Sequence, residues 1–84
     1  MPLLLETHDR EILLIVQALL AEDRRLSPKV LSVFLQDLGI SMTPERVGWW
    51  IKRTGAFRKH RRDTGAYWVP IPSRLRRLYE QLNL

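Results

Sequence analysis

Apolar residues recur with helical spacing through most of this chain and switch to an alternating pattern only after Gly55. From about Glu6 to Ala21, Ile12, Ile15, Val16, Leu19 and Leu20 fall within one arc at 100° per residue, with Leu13 at its edge, which predicts an amphipathic helix over 6–21. Leu14, Ala18 and Ala21 lie on its far side, as a contact surface or as tolerated exposure. Glu6 and Asp9 stand in the first turn, where the helix dipole favours acids. The polar break Glu22-Asp23-Arg24-Arg25 follows, and Arg25-Leu26 has room for one very short strand. Ser27 then serves as N-cap with Pro28 at the first helical position. Val30, Leu31, Phe34, Leu35 and Leu38 form a stripe that predicts a buried face on a helix over 28–38. Gly39 supplies the left-handed residue that ends it, and Ile40 folds back on the last turn.

The same start signal returns at once as Thr43-Pro44, with Glu45 in the first turn, and predicts a third helix over 44–54. Val47, Trp50, Ile51 and Thr54 share one face of it. Glu45, Trp49, Lys52 and Arg53 share the other, with Arg46 and Gly48 on the flanks. Gly48 in mid-helix costs about 1 kcal/mol relative to Ala, which implies a close approach to DNA or to the second helix. Gly55 ends the helix, and the period moves towards two. The runs either side of Arg61–Gly65 predict a hairpin over 56–69, with Gly65 as its positive-φ residue. Tyr67, Val69 and Ile71 alternate onto the core face with Phe57, which turns Trp68 towards Arg58 or His60 unless a bulge reverses the assignment. Pro70 and Pro72 close the strand. Ser73 is placed to cap a last helix over 73–82, whose Leu75, Leu78, Tyr79 and Leu82 need a dock, either the first helix or a partner. Arg74, Arg76 and Arg77 take its solvent side.

Composition narrows the class. Eighty-four residues, 45% hydrophobic and 27% charged, suit one small soluble domain. There is no cysteine, so no disulfide framework or thiolate metal site is available. Glu6, Asp9 and Arg10 interrupt the apolar start before a signal core or membrane span could form, so the chain is expected to be intracellular, in cytoplasm or nucleoid. Only His8 and His60 are histidines, and there is no glycine-rich phosphate loop or His-Glu metal pair. Neither an enzyme nor a bound cofactor is expected. Charge is uneven: residues 1–40 hold four basic against six acidic residues, and residues 41–84 ten basic against three acidic. That split suggests a polyanion-binding half on a neutral or acidic support.

The order of helix, short strand, helix-turn-helix and basic hairpin resembles the winged helix DNA-binding domain. It is carried by Leu26-Ser27-Pro28, Leu38-Gly39-Ile40-Ser41, Thr43-Pro44-Glu45-Arg46-Val47 and Gly55-Ala56-Phe57…Gly65-Ala66-Tyr67-Trp68-Val69, and it covers about Glu6 to Ile71. The resemblance implies an α+β, mostly helical fold: a three-helix core with a helix-turn-helix, a β-hairpin wing and an extra C-terminal helix. It also implies the third helix in the major groove and the wing along the backbone or in a minor groove, in a transcriptional regulator or a replication accessory module.

The residues themselves agree with that use. Lys52 and Arg53 can reach phosphates or guanine O6/N7, and Arg46, nearer the helix start, is placed for a base edge. Free N–H groups beside Ser27 and Thr43 can take phosphate oxygens, with Lys29 adjacent. Arg58, Lys59, Arg61 and Arg62 line the hairpin. Trp49 is large for a reading position: it stacks on an unpaired base, touches a thymine methyl, packs into a partner protein, or is core. Duplex DNA is the first expected ligand. The rivals are a protein-contact module anchored by Trp49, Trp68, Leu14 and the Leu75-Leu78-Leu82 stripe, and a binder of RNA or single strands. A homodimer or partner contact would use Leu14 and Ala18 or the C-terminal helix.

Overall fold

A computed structural model describes residues 7–62 and 65–84, without the side chains of residues 62 and 66. Within that range the chain is α+β, with α1 (Asp9–Ala21), α2 (Pro28–Asp37), α3 (Pro44–Thr54), β1 (Phe57–Arg62), β2 (Gly65–Pro70) and α4 (Pro72–Gln81). The first helix begins at Asp9, with His8 as its N-cap and Thr7 in a turn, later than the expected start at Glu6; Glu6 itself and the turn residues Asp63 and Thr64 lie outside the described residues. None of the described helices is long and apolar enough to cross a membrane.

The helix starts follow their caps. The Ser27 hydroxyl accepts from the Val30 N–H at 3.2 Å and the Thr43 hydroxyl from the Arg46 N–H at 3.2 Å, each ahead of a proline at the first helical position. Gly39, at φ 80°, closes α2: its own N–H reaches the Gln36 carbonyl and that of Ile40 the Leu35 carbonyl, both at 2.9 Å. This is the doubly bonded left-handed terminus that satisfies two orphan carbonyls. It brings Ile40 back against the core. Leu38, expected to be buried, is 60% exposed. It is the C-cap residue, already turning off the helix, and Ile40 takes over the apolar contact. The Ser32 hydroxyl donates to the Met42 carbonyl at 2.5 Å and ties the connection into α3 to the side of α2.

The core gathers Ile12, Leu13, Val16 and Leu19 from α1, Leu26 ahead of α2, Leu31 and Leu35 from α2, and Val47, Trp50 and Ile51 from α3. Leu13, at the edge of the expected arc, is fully enclosed. Asp9 is the one buried charged residue among those described, at 3% exposed. Its Oδ1 accepts from the Trp50 indole N–H at 2.7 Å, so the acid expected in the first turn of α1 also joins the start of α1 to the middle of α3.

β1 and β2 pair antiparallel from Phe57↔Pro70 to Arg62↔Gly65, so Arg61 and Arg62 belong to the strand and not to the turn. This register corrects the expected faces. With Arg62 opposite Gly65, odd-numbered residues of β1 share a face with even-numbered residues of β2. Trp68 therefore lies on the Phe57 side with Lys59, while Tyr67 and Val69 lie with Arg58 and His60. A five-residue turn over 61–65 would have given the opposite pairing, since one residue of slip exchanges the faces of a strand. The short strand before α2 is a single bridge, in which the Trp68 N–H meets the Leu26 carbonyl at 2.8 Å.

α4 begins at Pro72 with Ile71 as its N-cap, so Ser73 is inside the helix and does not cap it. Proline is pre-set for the first helical position and sets the start. Leu75 and Leu78 are buried within this same chain. The Arg10 guanidinium donates to the Leu82 carbonyl at 2.5 Å, which joins the end of α4 to the start of α1. Arg74 donates to the Gly55 carbonyl at 3.1 Å, placing a cation at the C-terminus of α3, where the helix dipole favours it.

Candidate nucleic-acid interface

α3 turns Val47, Trp50 and Ile51 inward and leaves Glu45, Trp49, Lys52 and Arg53 exposed, as its amphipathic spacing requires. Trp49 is 57% exposed and is not core. The Arg53 guanidinium lies 4.6 Å from the Trp49 ring centroid, within the range of a cation–π contact. Gly48 settles against the first turn of α2: a Cβ there would stand 3.3 Å from Pro28 Cγ. The bare backbone at this position serves the approach of the two helices.

Between α3 and the hairpin runs a groove of about 340 Å³, walled by Pro28, Glu45, Gly48, Trp49, Lys52, Lys59 and Trp68. The hairpin wall follows from the register. Lys59 is directly opposite Trp68, and its Nζ is 6.0 Å from that ring's centroid. Arg61, two residues on, falls on the same hairpin face and is exposed. Of the residues singled out from the sequence, the fold thus brings Trp49, Lys52 and Lys59 into one groove, with Arg53 stacked on Trp49 and Arg61 along the same face of the wing.

The others are placed elsewhere. Arg46 is exposed but borders a different depression, of about 260 Å³, with Thr7, His8 and residues 39–42. Lys29 borders a third, formed with Arg24, Val30, Val33 and Phe34. Arg58 is exposed on the hairpin face opposite Lys59. Arg62 pairs with Gly65 in the ladder, and its side chain is outside the described residues. Ser27 and Thr43 are occupied as caps. Each helix start has a proline without an N–H, and the Leu31 and Val47 N–H groups bond back to the Ser27 and Thr43 carbonyls. Only the Lys29 and Glu45 N–H groups stand outside these bonds, a smaller phosphate-binding set than the sequence implied.

The reverse face of the hairpin holds a cluster that the sequence reading missed. The Arg25 guanidinium lies 4.8 Å from the Tyr67 ring centroid, and the His60 and Tyr67 rings are 5.3 Å apart at 56°. The signal was present: once Leu26 pairs with Trp68, alternation puts its neighbour Arg25 on the Tyr67 side. Among the described residues no group of three His, Cys, Asp or Glu side chains is assembled to hold a metal ion. Comparison with protein-family models, with curated proteins and with solved structures returned no match to this chain.

Proposed function

We propose that this chain is a winged-helix module that binds duplex DNA, with α3 in the major groove and the β1–β2 hairpin as a wing along the phosphate backbone. The observation that carries this reading is the convergence of cations from two elements around one uncovered helix face: Lys52 and Arg53 from α3, Lys59 and Arg61 from β1. A helix is 10–12 Å across with its side chains, which matches a major groove about 12 Å wide. An eleven-residue helix is about 16 Å long, and a six-residue strand reaches about 20 Å, enough for the wing to extend past the groove edge to the backbone. Lysines on such a face supply the sequence-independent part of binding, and Arg53 can add a base contact.

The test is a titration of a labelled duplex by fluorescence anisotropy with wild type, Lys52→Ala, Lys59→Ala and, as a control, Arg76→Ala on α4. Each groove lysine should weaken binding about equally across duplex sequences and reduce the salt slope by about one, while Arg76→Ala leaves both unchanged. Equal binding by all four proteins would assign the charge to some other partner.

A second reading, protein contact, is favoured by three exposed apolar side chains: Leu14 at 45% on α1, Val33 at 53% on α2 and Leu38 at the C-cap of α2. The Leu75 and Leu78 side chains are enclosed by their own chain and are not part of it. Sedimentation of the purified chain over a concentration series tests self-association through these residues, and a monomer throughout would remove the homodimer.

A further inference from the structure

The groove between α3 and the hairpin has a composition that a fully paired duplex does not use. A base-pair edge in the major groove offers hydrogen-bond donors and acceptors and the thymine methyl, whereas the groove is lined by two indoles, Trp49 and Trp68, the first of them exposed. The Arg53 guanidinium lies over the Trp49 ring at 4.6 Å from its centroid, and Trp49 itself lines the groove. Opposite stands Trp68, packed against the core and bridged through its backbone to Leu26. Pro28 and the side-chain-free Gly48 also line it, and a Cβ at Gly48 would crowd Pro28. A volume of about 340 Å³ falls at the small end of ligand pockets, about 300–1,000 Å³.

The polar groups are few and match one kind of occupant. Lys52 and Lys59 flank the aromatic walls from the two sides of the groove, and Arg61 continues the charge along the wing. The one acidic wall residue, Glu45, is suited to accept a hydrogen bond from a base amino group and disfavours a phosphate at its own end. An aromatic platform between cations is the arrangement that holds single nucleotides: stacking on the base, attraction for the phosphates on either side.

We infer that this groove takes one unpaired nucleotide adjoining the duplex, its base stacked on Trp49 and its flanking phosphates drawn to Lys52 and Lys59. This deepens the nucleic-acid reading above and rests on it. The preferred ligand is then a duplex that carries an overhanging or extrahelical base, and Trp49 is the residue that distinguishes it from a fully paired one.

The experiment uses three kinds of labelled ligand of the same duplex sequence: blunt, with a short overhang at the 3′ or the 5′ end, and with each of these overhangs made abasic at every position. Wild type should bind one of the base-bearing overhangs at least about fivefold more tightly than the blunt duplex, since stacking one base is worth that much or more. The abasic overhang should bind like the blunt duplex. Trp49→Ala should abolish the preference, binding the blunt and overhang duplexes with equal affinity, whereas Trp49→Phe, which retains a ring, should keep most of it. Trp49 is outside the core, and an unchanged melting curve for both variants confirms that folding is intact. Equal wild-type affinity for all three ligands overturns the inference, as does tight binding of the abasic overhang, which would make phosphate count the cause. In both cases blunt-duplex binding leaves the nucleic-acid reading standing. Failure to bind any of the three overturns both.

Discussion

Replacing Asp9 tests whether the buried contact between α1 and α3 holds the platform under the reading helix. Two stabilising effects add at this position. Asp9 is the first residue of α1, where a carboxylate gains about 0.3–1 kcal/mol from the helix dipole. Its Oδ1 also accepts from Trp50 Nε1 at 2.7 Å in a site almost closed to water. A hydrogen bond to a charged group contributes about 1.5–3 kcal/mol, and leaving the indole N–H buried without an acceptor forfeits it. Asp9→Ala loses both effects, so a destabilisation of about 2–4 kcal/mol is expected. Asp9→Asn keeps an acceptor oxygen and loses only the charge, so it should cost about 1 kcal/mol. For a chain of 84 residues the total stability is on the order of 4–13 kcal/mol, and about 2–4 kcal/mol is a large share of it. Urea unfolding followed by far-UV circular dichroism measures both variants against wild type. The melting temperature should fall by about 4–8 °C for each kcal/mol lost. If Asp9→Ala and Asp9→Asn are equally stable, the dipole accounts for the whole effect and the hydrogen bond to Trp50 contributes nothing.

Other expectations follow from single contacts. Thr43→Ala removes the hydroxyl that caps α3 and should cost about 0.5–2 kcal/mol, while Thr43→Ser should be close to wild type; equal losses for both in urea unfolding would assign the role to the threonine methyl. Gly48→Ala gains helix propensity of about 1 kcal/mol but sets a methyl 3.3 Å from Pro28 Cγ. The net stability change should therefore stay well below that gain, and a full gain would show that the helix contact yields freely. Burial raises the Tyr79 phenol above its usual 10.0. A raised phenol favours the folded state below the unfolded value, and that contribution is lost as pH rises through the folded pKa. Thermal melts from pH 9 upward should therefore fall more steeply for wild type than for Tyr79→Phe, and parallel curves would refute the coupling.

The helices were legible because their punctuation is local. Ser27-Pro28, Thr43-Pro44, Gly39 and Gly55 each state a boundary within a few residues, and the structure places the starts of α2 and α3 where those signals put them. The exposure of Lys52 and Arg53 followed from the same periodicity. What escaped depends on partners distant in the chain. The Asp9–Trp50 bond joins residues 41 positions apart, and nothing in the spacing of either residue announces it. The hairpin faces turned on one quantity, the number of residues in the turn; reading five where the ladder leaves two inverted Trp68 and Tyr67 together. Arg46 looked like a base reader from its position along α3, yet its place around the helix directs it to the depression by Thr7 and His8. Trp49 was undecided from sequence because a helix flank with Gly48 on one side and Trp50 on the other can rotate either way, and the close seat of Gly48 on Pro28 resolves the rotation.

The central claim is that Lys52, Arg53, Lys59 and Arg61 act together on a phosphate backbone. The most direct measurement is the affinity of the wild-type chain for a short duplex across a series of salt concentrations. Four neutralised phosphates predict that log K falls against log salt with a slope of about −3.6. A slope near zero, at any affinity, would contradict it.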